Sequence, residues 1–348
     1  MGGRVALIYG GRGFEHQVSL AGADFVLPLI LENTYDCVPV FIAKDGRWLT
    51  CFDGKSFTRA DRAAKVENIK LCAPINLGGK GALLVGGEPV HVDCAFPLLH
   101  GDFGEDGSIQ GALETAAIPY VGENVFVSAF CLDKVACRAL ADMLGIRGTK
   151  YFSIPKGTNA KTAQNIAEAK LIYPMFIKPR ALGSSVGAGK IKDKNAFFEA
   201  FDIASADSTR SVIIEECLDI ACELEIGVLR QKGKITFTKI GKIESESGFY
   251  DYDEKYSGKS AVKIDSSPQI CKNIEKELRR SAEKLAKVLE ICSLSRIDFF
   301  LSKAGELYFN EINTMPGFTG GSLYPTLCGK SGISPRELVK SLICEALL

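Results

Sequence analysis

Residues 295–325 read SRIDFFLSKAGELYFNEINTMPGFTGGSLYP. Two runs rich in Ile, Phe, Leu and Tyr flank the turn signal Ala304–Gly305, so the stretch predicts a β-hairpin that continues into a glycine-rich loop. A two-residue turn would give these cross-strand pairs: Lys303 with Glu306, Asp298 with Glu311, and Arg296 with Asn313. A bulge would shift this register by one residue.

The hairpin would place several polar side chains on one face, because side chains two residues apart in a strand point the same way. They are Arg296, Asp298, Glu311 and Asn313. Oxygen ligands without His or Cys favour Mg²⁺ or Mn²⁺, and a partly open site suits metal-bound phosphates. A solvated acidic edge strand would contain the same carboxylates. The glycines after the hairpin offer backbone N–H groups to an anion and favour the metal site.

Length and composition exclude several classes of protein. With 348 residues the chain can hold roughly two or three domains, and its formal net charge of zero gives no attraction for nucleic acid or an anionic membrane. No apolar run is long enough to span a bilayer and the first residues lack a signal-peptide core, so we expect a cytoplasmic protein. Twelve cysteines are scattered without C-x-x-C spacing, and the chain has only three histidines. Catalysis must therefore rest on carboxylates, lysines, arginines and hydroxyls.

The N-terminal segment predicts an α/β unit. An apolar run over residues 5–9, glycines at 10, 11 and 13, and a helical pattern from Val18 to about Leu31 follow one another. A dinucleotide fingerprint is a weak interpretation, because Glu15 would bring a negative charge to the pyrophosphate at the helix N-terminus. Glu15 can instead hold a substrate ammonium, or it can simply cap the helix.

Two further loops have the composition of ligand-binding loops. Residues 100–107, HGDFGEDG, follow a predicted strand at the edge where open α/β sheets bind ligands, although a solvated loop is the alternative. Residues 178–189, KPRALGSSVGAG, lie between two short predicted strands and can fold over phosphates. Lys134 and Lys178 would supply positive charge there, unless both are surface lysines.

Two segments suggest contacts with a nucleotide. A strand over residues 211–214 ends in Glu215-Glu216-Cys217-Leu218, with Glu223 shortly after, and could bind an adenine edge and a ribose. An ordinary edge strand would have the same pattern. Residues 248–259 are rich in tyrosine and charge and follow no periodic pattern, which is typical of a lid or binding loop.

Five motifs in this order resemble the D-alanine:D-alanine ligase family of the ATP-grasp superfamily, nearly from end to end. They are GGRGFEHQVSL at 10–20, HGDFGEDGSIQG at 100–111, KPRALGSSVG at 178–187, FYDYDEKY at 249–256, and RID at 296–298 with NEINTMPGFTGGSLYP at 310–325. The resemblance implies an α/β and α+β fold with an N-terminal open parallel α/β domain (1–125). A two-part ATP-grasp fold would follow, with a small central domain (126–214) and a C-terminal domain that carries the metal and catalytic residues (215–348).

The resemblance also implies a role for each site residue. ATP would contact Lys134, Lys178, Ser185, Glu215, Cys217, Leu218, Glu223, Phe249, Lys255 and Phe300. A pair of Mg²⁺ or Mn²⁺ ions would bind Asp298, Glu311 and Asn313. The amino acid substrates would contact Val18, His100, Glu105, Ser322 and Leu323. The catalytic set would be Glu15, Ser184, Tyr256, Arg296 and Gly317.

The implied reaction joins two D-alanines for peptidoglycan precursors through an acyl phosphate. D-Serine is the alternative acceptor, as in ligases of the vancomycin-resistance type, and Leu323 disfavours it because an apolar side chain leaves the acceptor hydroxyl unpaired. A homodimer is implied by analogy alone. Two other interpretations are a nucleotide-binding protein that uses residues 10–13 for NAD, and an ATP-grasp ligase for other substrates.

Overall fold

The computed structural model describes residues 2–50, 70–206, 211–244 and 263–348, which form three β-sheets with helices packed on them. Within these residues, no helix is both long and apolar enough to cross a bilayer. The mixed α/β and α+β class expected from the sequence is confirmed. The three sheets lie in succession along the chain.

The first sheet has the strand order β6-β5-β4-β3-β2-β1-β7. Its strands are β1 (Arg4–Gly10), β2 (Asp36–Ile42), β3 (Trp48–Thr50), β4 (Lys70–Leu77), β5 (Lys80–Val85), β6 (Glu88–His91) and β7 (Cys94–Leu98). Strand β1 pairs in parallel with β2 and β7, while the other pairs are antiparallel. The helices α1 (His16–Glu32) and α2 (Ser108–Thr115) accompany it. The parallel core places the loops after β1 and β7 side by side.

The sequence of residues 128–144 predicts a single helix, but the structure has two, α3 (Val125–Leu132) and α4 (Lys134–Met143). That prediction is wrong because Asp133 has an extended backbone and its carboxylate accepts hydrogen bonds from the N–H groups of Val135 and Ala136. Asp133 thereby starts a second helix. The sequence of residues 118–121 also predicts a short strand, but Tyr120 makes only an isolated bridge to Ala95.

The second sheet has the order β10-β9-β11-β8. It contains β8 (Tyr151–Ile154), β9 (Met175–Pro179), β10 (Gly189–Ile191) and β11 (Val212–Glu216), and the helices α5 (Ala160–Glu168) and α6 (Phe197–Ala206) pack on it. The serine- and glycine-rich loop connects β9 directly to β10, as the sequence predicts.

The third sheet has the order β14-β13-β12-β15-β16. Its strands are β12 (Ile220–Gln231), β13 (Lys234–Glu244), β14 (Lys263–Asp265), β15 (Leu294–Ser302) and β16 (Leu307–Asn313), and α7 (Lys272–Val288) packs on one face. The helices α3 and α4 share this hydrophobic core. Strands β15 and β16 form the hairpin that the sequence predicts.

The last two helices are α8 (Leu323–Lys330) and α9 (Pro335–Ala346). Leu338, Val339, Leu342 and Ile343 of α9 are buried in one core with α1, β1 and β7. The same core contains Leu229 and Leu294 of the third sheet, so α9 connects the first sheet to the third.

Candidate active site between the three sheets

A cavity of about 960 Å³ lies where the three sheets meet. Every site residue predicted from the sequence lines it, except Phe249, Lys255 and Tyr256, which lie outside the described residues. The first sheet contributes the loops after β1 and β7, the second the loop between β9 and β10, and the third the hairpin. Residues far apart in the chain thus face one space of ligand size.

The hairpin has the register expected for its polar residues, with Asp298 opposite Glu311 and Arg296 opposite Asn313. The predicted two-residue turn is wrong, because Leu301 pairs with Leu307 and the turn is one residue longer. A β-bulge between Asp298 and Phe299 compensates, since Asn310 is an extra residue in β16. Asp298 is 3 % exposed, so the alternative of a solvated acidic edge is wrong for it.

Arg296 is bound by carboxylates on two strands. Its Nε and Nη2 donate to Asp298 at 2.8 and 2.7 Å, and its Nε lies 2.9 Å from Glu225 Oε2. Burial would lower the pKa of Arg296, but Asp298 and Glu225 raise it well above its usual value. The amide of Asn313 donates to Asp298 at 2.8 Å. A fixed positive charge therefore stands beside the acidic pair.

The donor set at the hairpin fits a hard divalent cation. Among the described residues, no cluster of three His, Cys, Asp or Glu side chains is arranged to hold a metal. Two carboxylates, Asp298 and Glu311, and the Asn313 amide remain, and oxygen donors alone suit Mg²⁺ or Mn²⁺. Glu311 Oε2 also lies 3.5 Å from Lys134 Nζ. A lysine is thus already close to the proposed metal ligands.

A buried ion cluster also lines the cavity. Glu215 Oε1 lies 2.7 Å from Lys178 Nζ, and Glu215 Oε2 accepts hydrogen bonds from Arg138 at 3.1 Å and Thr149 at 2.7 Å. Burial would raise the pKa of Glu215, but Lys178 and Arg138 lower it to about 2. Burial lowers the pKa of Lys178, which Glu215 partly offsets. Lys134 and Lys178 are 8 % and 7 % exposed, so they are not surface lysines.

The loop between β9 and β10 has a strained backbone. Ser184 and Ser185 have φ angles of +50° and +59°, and Gly187 has +67°. Non-glycine residues rarely adopt such angles, and successive residues of this kind turn their N–H groups toward one side, which suits an anion. Lys134 Nζ donates to the carbonyl of Leu182 at 2.6 Å and lies beside this loop.

Glu15 connects the first sheet to that loop. It stands at the N-cap of α1, yet its side chain makes no capping hydrogen bond, and its carboxylate accepts one from the Ser184 hydroxyl. A capping bond therefore does not explain this residue. Gly101 is tightly packed against it, since a Cβ there would lie 2.7 Å from Glu15 Oε2.

The 100–107 loop is largely buried, with Phe103 exposed, so the solvated-loop alternative is wrong for its histidine and for Glu105. His100 and Glu105 are 6 % and 8 % exposed. Glu105 accepts hydrogen bonds from the N–H groups of Gly101 and Met315, both at 2.9 Å, while His100 Nδ1 lies 2.9 Å from the Met315 carbonyl. Burial, and then Glu15, raise the pKa of Glu105. Within the described part of the chain, His100 Nε2 has no hydrogen-bond partner.

Helix α8 begins at the wall of the cavity. Ser322 is its N-cap residue, but the side chain does not cap the helix. The Ser322 oxygen instead accepts a hydrogen bond from the Thr319 N–H at 2.9 Å. Pro325 has no N–H, so Leu323 and Tyr324 offer the first free donors of this helix end. Such an end suits a carboxylate.

The polar residues at the site that sequence reasoning missed include Arg138, Thr149, Glu225 and Thr319. Arg138 had a usable signal, because it follows Lys134 by four residues and therefore lies on the same helix face. Thr149 and Glu225 had none, since their partners come from other strands. Thr319 lies in the motif at 310–325, but its spacing there indicates no role.

Comparison with known proteins agrees with this geometry. The family model "D-ala D-ala ligase N-terminus" matches residues 4–123, and "D-ala D-ala ligase C-terminus" matches residues 140–344. The D-alanine–D-alanine ligase of Geobacillus kaustophilus is 37% identical over 358 residues, which cover 99% of this chain and 94% of that protein. The Enterococcus faecalis D-alanine–D-alanine ligase is 35% identical over 352 residues, which cover 99% of each.

Two solved structures have the same fold throughout. The VanG D-Ala:D-Ser ligase from Enterococcus faecalis superposes with a TM-score of 0.87 at 33% identity, covering 99% of this chain and 100% of that one. The D-alanine-D-alanine ligase from Coxiella burnetii gives 0.84 at 25% identity, covering 99% and 94%. The family models, the relatives and the arrangement of the cavity agree, and the chain belongs to the D-alanine–D-alanine ligase family.

Proposed function

We propose that the protein joins two D-alanines to D-alanyl-D-alanine at the expense of ATP, forming ADP and phosphate for peptidoglycan precursor synthesis. One observation supports this most strongly. The cavity brings an acidic hairpin, a serine loop with two buried lysines, and the Glu15 carboxylate into one space. A ligase needs these three chemistries together: a place for a charged triphosphate, a place for an ammonium, and donors for an oxyanion.

The nucleotide lies between the second and third sheets. Lys134, Lys178 and Ser185 bind its phosphates, and Lys255 joins them. Glu215, Cys217, Leu218 and Phe300 contact the base with Phe249, and Glu223 contacts the ribose. Lys134 and Lys178 are buried, which strengthens their attraction for an anion because little water screens them.

Asp298, Glu311 and Asn313 hold the divalent cations, Mg²⁺ or Mn²⁺. When bound, these ions neutralise the phosphates and reduce the repulsion between the triphosphate and a substrate carboxylate. The arrangement of the chain itself supports this placement, since Lys134 faces Glu311 at 3.5 Å and so adjoins both the ligands and the phosphate loop.

The reaction has two steps. The γ-phosphoryl group of ATP passes to the carboxylate of the first D-alanine, whose ammonium is held by Glu15 and which packs against Val18. The amine of the second D-alanine then attacks the acyl phosphate and phosphate leaves. Arg296 and the Gly317 N–H stabilise the oxyanion of the tetrahedral intermediate. Removing one such donor typically costs about 10²–10³ in rate.

The second D-alanine lies between α8 and the 100–107 loop. Ser322 and the Leu323 N–H bind its carboxylate, and His100 and Glu105 line the same region. Glu15 and Ser184, with Tyr256, anchor the segment that excludes water from the acyl phosphate. The hydrogen bond from Ser184 to Glu15 supports this arrangement.

Three wider features belong to the same proposal. The chain divides into domains at residues 1–125, 126–214 and 215–348, the protein works in the cytoplasm, and it forms a homodimer. D-Alanine is its small-molecule substrate, and it binds neither nucleic acid nor a membrane. The zero net charge agrees with the last statement.

D-Serine is the second candidate acceptor. The VanG D-Ala:D-Ser ligase has the same fold with a TM-score of 0.87, which favours this alternative. Against it, Leu323 is apolar and buried at the acceptor wall and offers no side-chain partner to a hydroxyl. An unpaired buried hydroxyl costs about 1–3 kcal/mol.

The test is to incubate the protein with ATP, Mg²⁺ and D-alanine, alone or with D-serine or D-lactate, and to measure phosphate release and product mass. We expect D-alanyl-D-alanine as the main product. Asp298→Asn should lower the rate by about 100-fold or more, whereas Asp193→Asn, at an exposed turn, should not change it. If D-alanyl-D-serine forms faster than D-alanyl-D-alanine at equal acceptor concentrations, D-serine is the acceptor. If neither D-alanine nor D-serine gives a dipeptide, the proposal is refuted.

A further inference from the structure

The buried Arg138 contacts two walls of the cavity without lining it. It is 2 % exposed and belongs to α4. Its Nε donates to the carbonyl of Asn310 at 3.1 Å, in the third sheet. Its Nη2 donates to Glu215 Oε2 at 3.1 Å, in the second sheet. One side chain therefore joins the hairpin wall to the ion cluster.

The contact with Asn310 lies at the bulge of the hairpin. Asn310 is the extra residue that restores the pairing of Asp298 with Glu311 after the longer turn. Strand β16 is the outer strand of the third sheet, so the carbonyl of a bulged residue there needs a donor from outside the ladder. Arg138 is that donor. Without this donor the bulge loses a buried hydrogen bond that stabilises it at this position in the strand.

The contact with Glu215 is shared with Thr149. Arg138 Nη1 donates to the Thr149 hydroxyl, which itself donates to Glu215 Oε2 at 2.7 Å. Glu215 is therefore connected to Arg138 both by a direct hydrogen bond and through the Thr149 hydroxyl. This redundancy fixes the carboxylate orientation more firmly than a single ion pair would.

A guanidinium can make these contacts together because its donors lie in one rigid plane. The distance between the Asn310 carbonyl and the Glu215 carboxylate is then set by the width of a single group. A lysine ammonium is one point on a flexible chain and cannot satisfy Asn310, Thr149 and Glu215 simultaneously. An Arg138→Lys variant therefore keeps the buried charge and loses the connection.

We propose that Arg138 is a positioning residue that fixes the Asn310 bulge, and with it the metal ligand Glu311, at a set distance from Glu215 at the nucleotide end. The proposal rests on the proposed function for its account of what binds at each end. A one-residue shift of β16 would turn Glu311 to the opposite face of the sheet. Even a partial loosening of the bulge would displace Glu311 from Asp298 and weaken cation binding.

The test uses Mn²⁺ with ADP as the probe, because their binding does not depend on ligation. Free Mn²⁺ is followed by electron paramagnetic resonance, and ADP affinity is measured by calorimetry. We expect Arg138→Lys and Arg138→Met to weaken Mn²⁺ binding by about tenfold or more, the range for partners that orient metal ligands. ADP binding should weaken as well, because Glu215 loses a partner.

Thr149→Val is the matched control. It removes a neutral partner of Glu215 and leaves the contact between Arg138 and Asn310 intact, so ADP binding should weaken while Mn²⁺ binding at saturating ADP stays within about twofold of wild type. A merely structural role would not separate the two ligands in this way. The double variant Glu311→Gln/Arg138→Lys, with Asp298 unchanged, should bind Mn²⁺ as weakly as Glu311→Gln alone. Arg138 is proposed to act through Glu311, so its replacement should then have no further effect on Mn²⁺ affinity.

Two outcomes would overturn the proposal. One is wild-type Mn²⁺ affinity in both Arg138 variants. The other is an Arg138→Lys chain that fails to fold where Thr149→Val folds, which would assign the residue to the fold instead of the site. If wild type binds Mn²⁺ and ADP in an Arg138-dependent way but forms no dipeptide, the proposed function fails and the role of Arg138 stands.

Discussion

The hydroxyl oxygens of Thr319 and Ser322 lie 2.8 Å apart, and the N–H of Thr319 donates to the same Ser322 oxygen at 2.9 Å. When the Thr319 hydroxyl donates as well, both lone pairs of the Ser322 oxygen are occupied. The hydrogen of Ser322 is then left for a ligand in the cavity. Serine at an N-cap ordinarily binds its own helix, and Thr319 holds this one away from that role.

We therefore expect Thr319→Val to raise the KM for the acceptor D-alanine by roughly five- to tenfold with little change in kcat, equivalent to one hydrogen bond of about 1 kcal/mol. Thr319→Ser keeps the hydroxyl and should behave like wild type. Initial rates at varied D-alanine and saturating ATP measure both. Equal KM values for the two variants would show that the hydroxyl has no orienting role.

Gly101→Ala should raise the KM for the first D-alanine. The new Cβ would lie 2.7 Å from Glu15 Oε2 and would push the carboxylate from its place. Gly101 also has a φ of +62°, so the substitution costs roughly 1 kcal/mol of stability through strain. Gly78→Ala separates these effects, because Gly78 has the same φ of +62° and nothing within 4 Å of its Cβ position.

Both alanine variants should lower the melting temperature by a similar amount, and only Gly101→Ala should change the KM. Kinetics and thermal unfolding on the same preparations make the comparison. A change of KM in both variants would attribute the effect to backbone strain in general and would contradict a specific contact with Glu15.

Glu123→Gln should remove a pH dependence of stability. Glu123 is fully buried and accepts hydrogen bonds from the N–H groups of Cys292 and Ser293 at 2.8 and 3.0 Å. Burial raises its pKa from 4.5 to about 7. A raised folded-state pKa means that its contribution to stability is full below about pH 4.5 and is lost as pH rises through about 7.

Wild type should therefore lose of order 3 kcal/mol more than Glu123→Gln between pH 5 and pH 8. Urea unfolding at both pH values measures the difference. Glu199→Gln, at an exposed position of α6, is the control and should follow the wild-type pH dependence. Parallel pH profiles for wild type and Glu123→Gln would contradict the raised pKa.

Glu215→Gln should destabilise the protein by about 3–5 kcal/mol, because Lys178 and Arg138 would remain buried without their counter-charge. In wild type the folded-state pKa of Glu215 is depressed to about 2, so its contribution is present above about pH 4.5 and is lost as pH falls toward 2. Glu216→Gln, at the neighbouring part-exposed position, should change the unfolding free energy little. Equal unfolding free energies for the two variants would show that the cluster of Glu215, Lys178 and Arg138 does not stabilise the fold.

The hairpin shows both the reach and the limit of sequence reasoning. Period-two patterning fixes which residues share a face, so the pairing of Asp298 with Glu311 was predictable and is confirmed. The turn length and the bulge at Asn310 were not predictable. The longer turn shifts the register by one residue and the bulge shifts it back. The carbonyl of Asn310 accepts a hydrogen bond from Arg138 of α4, and no local pattern in β16 encodes that contact.

The boundaries between domains show the same limit. The division at residues 125 and 214 stays a prediction, and the hydrophobic cores do not follow it. Helices α3 and α4 share the core of the third sheet, and α9 shares that of the first. Such packing depends on three-dimensional proximity, whereas composition and spacing report on neighbours along the chain.

The burial of α9 against β1 and β7 has a consequence for how the chain is made. A ribosome releases the first sheet early, and many domains begin to fold while synthesis continues. Here the apolar face that receives Leu342 and Ile343 stays uncovered until α9 has left the exit tunnel. A nascent chain stalled before residue 335 should therefore remain a client of chaperones and a target of proteases, and emergence of α9 should end both.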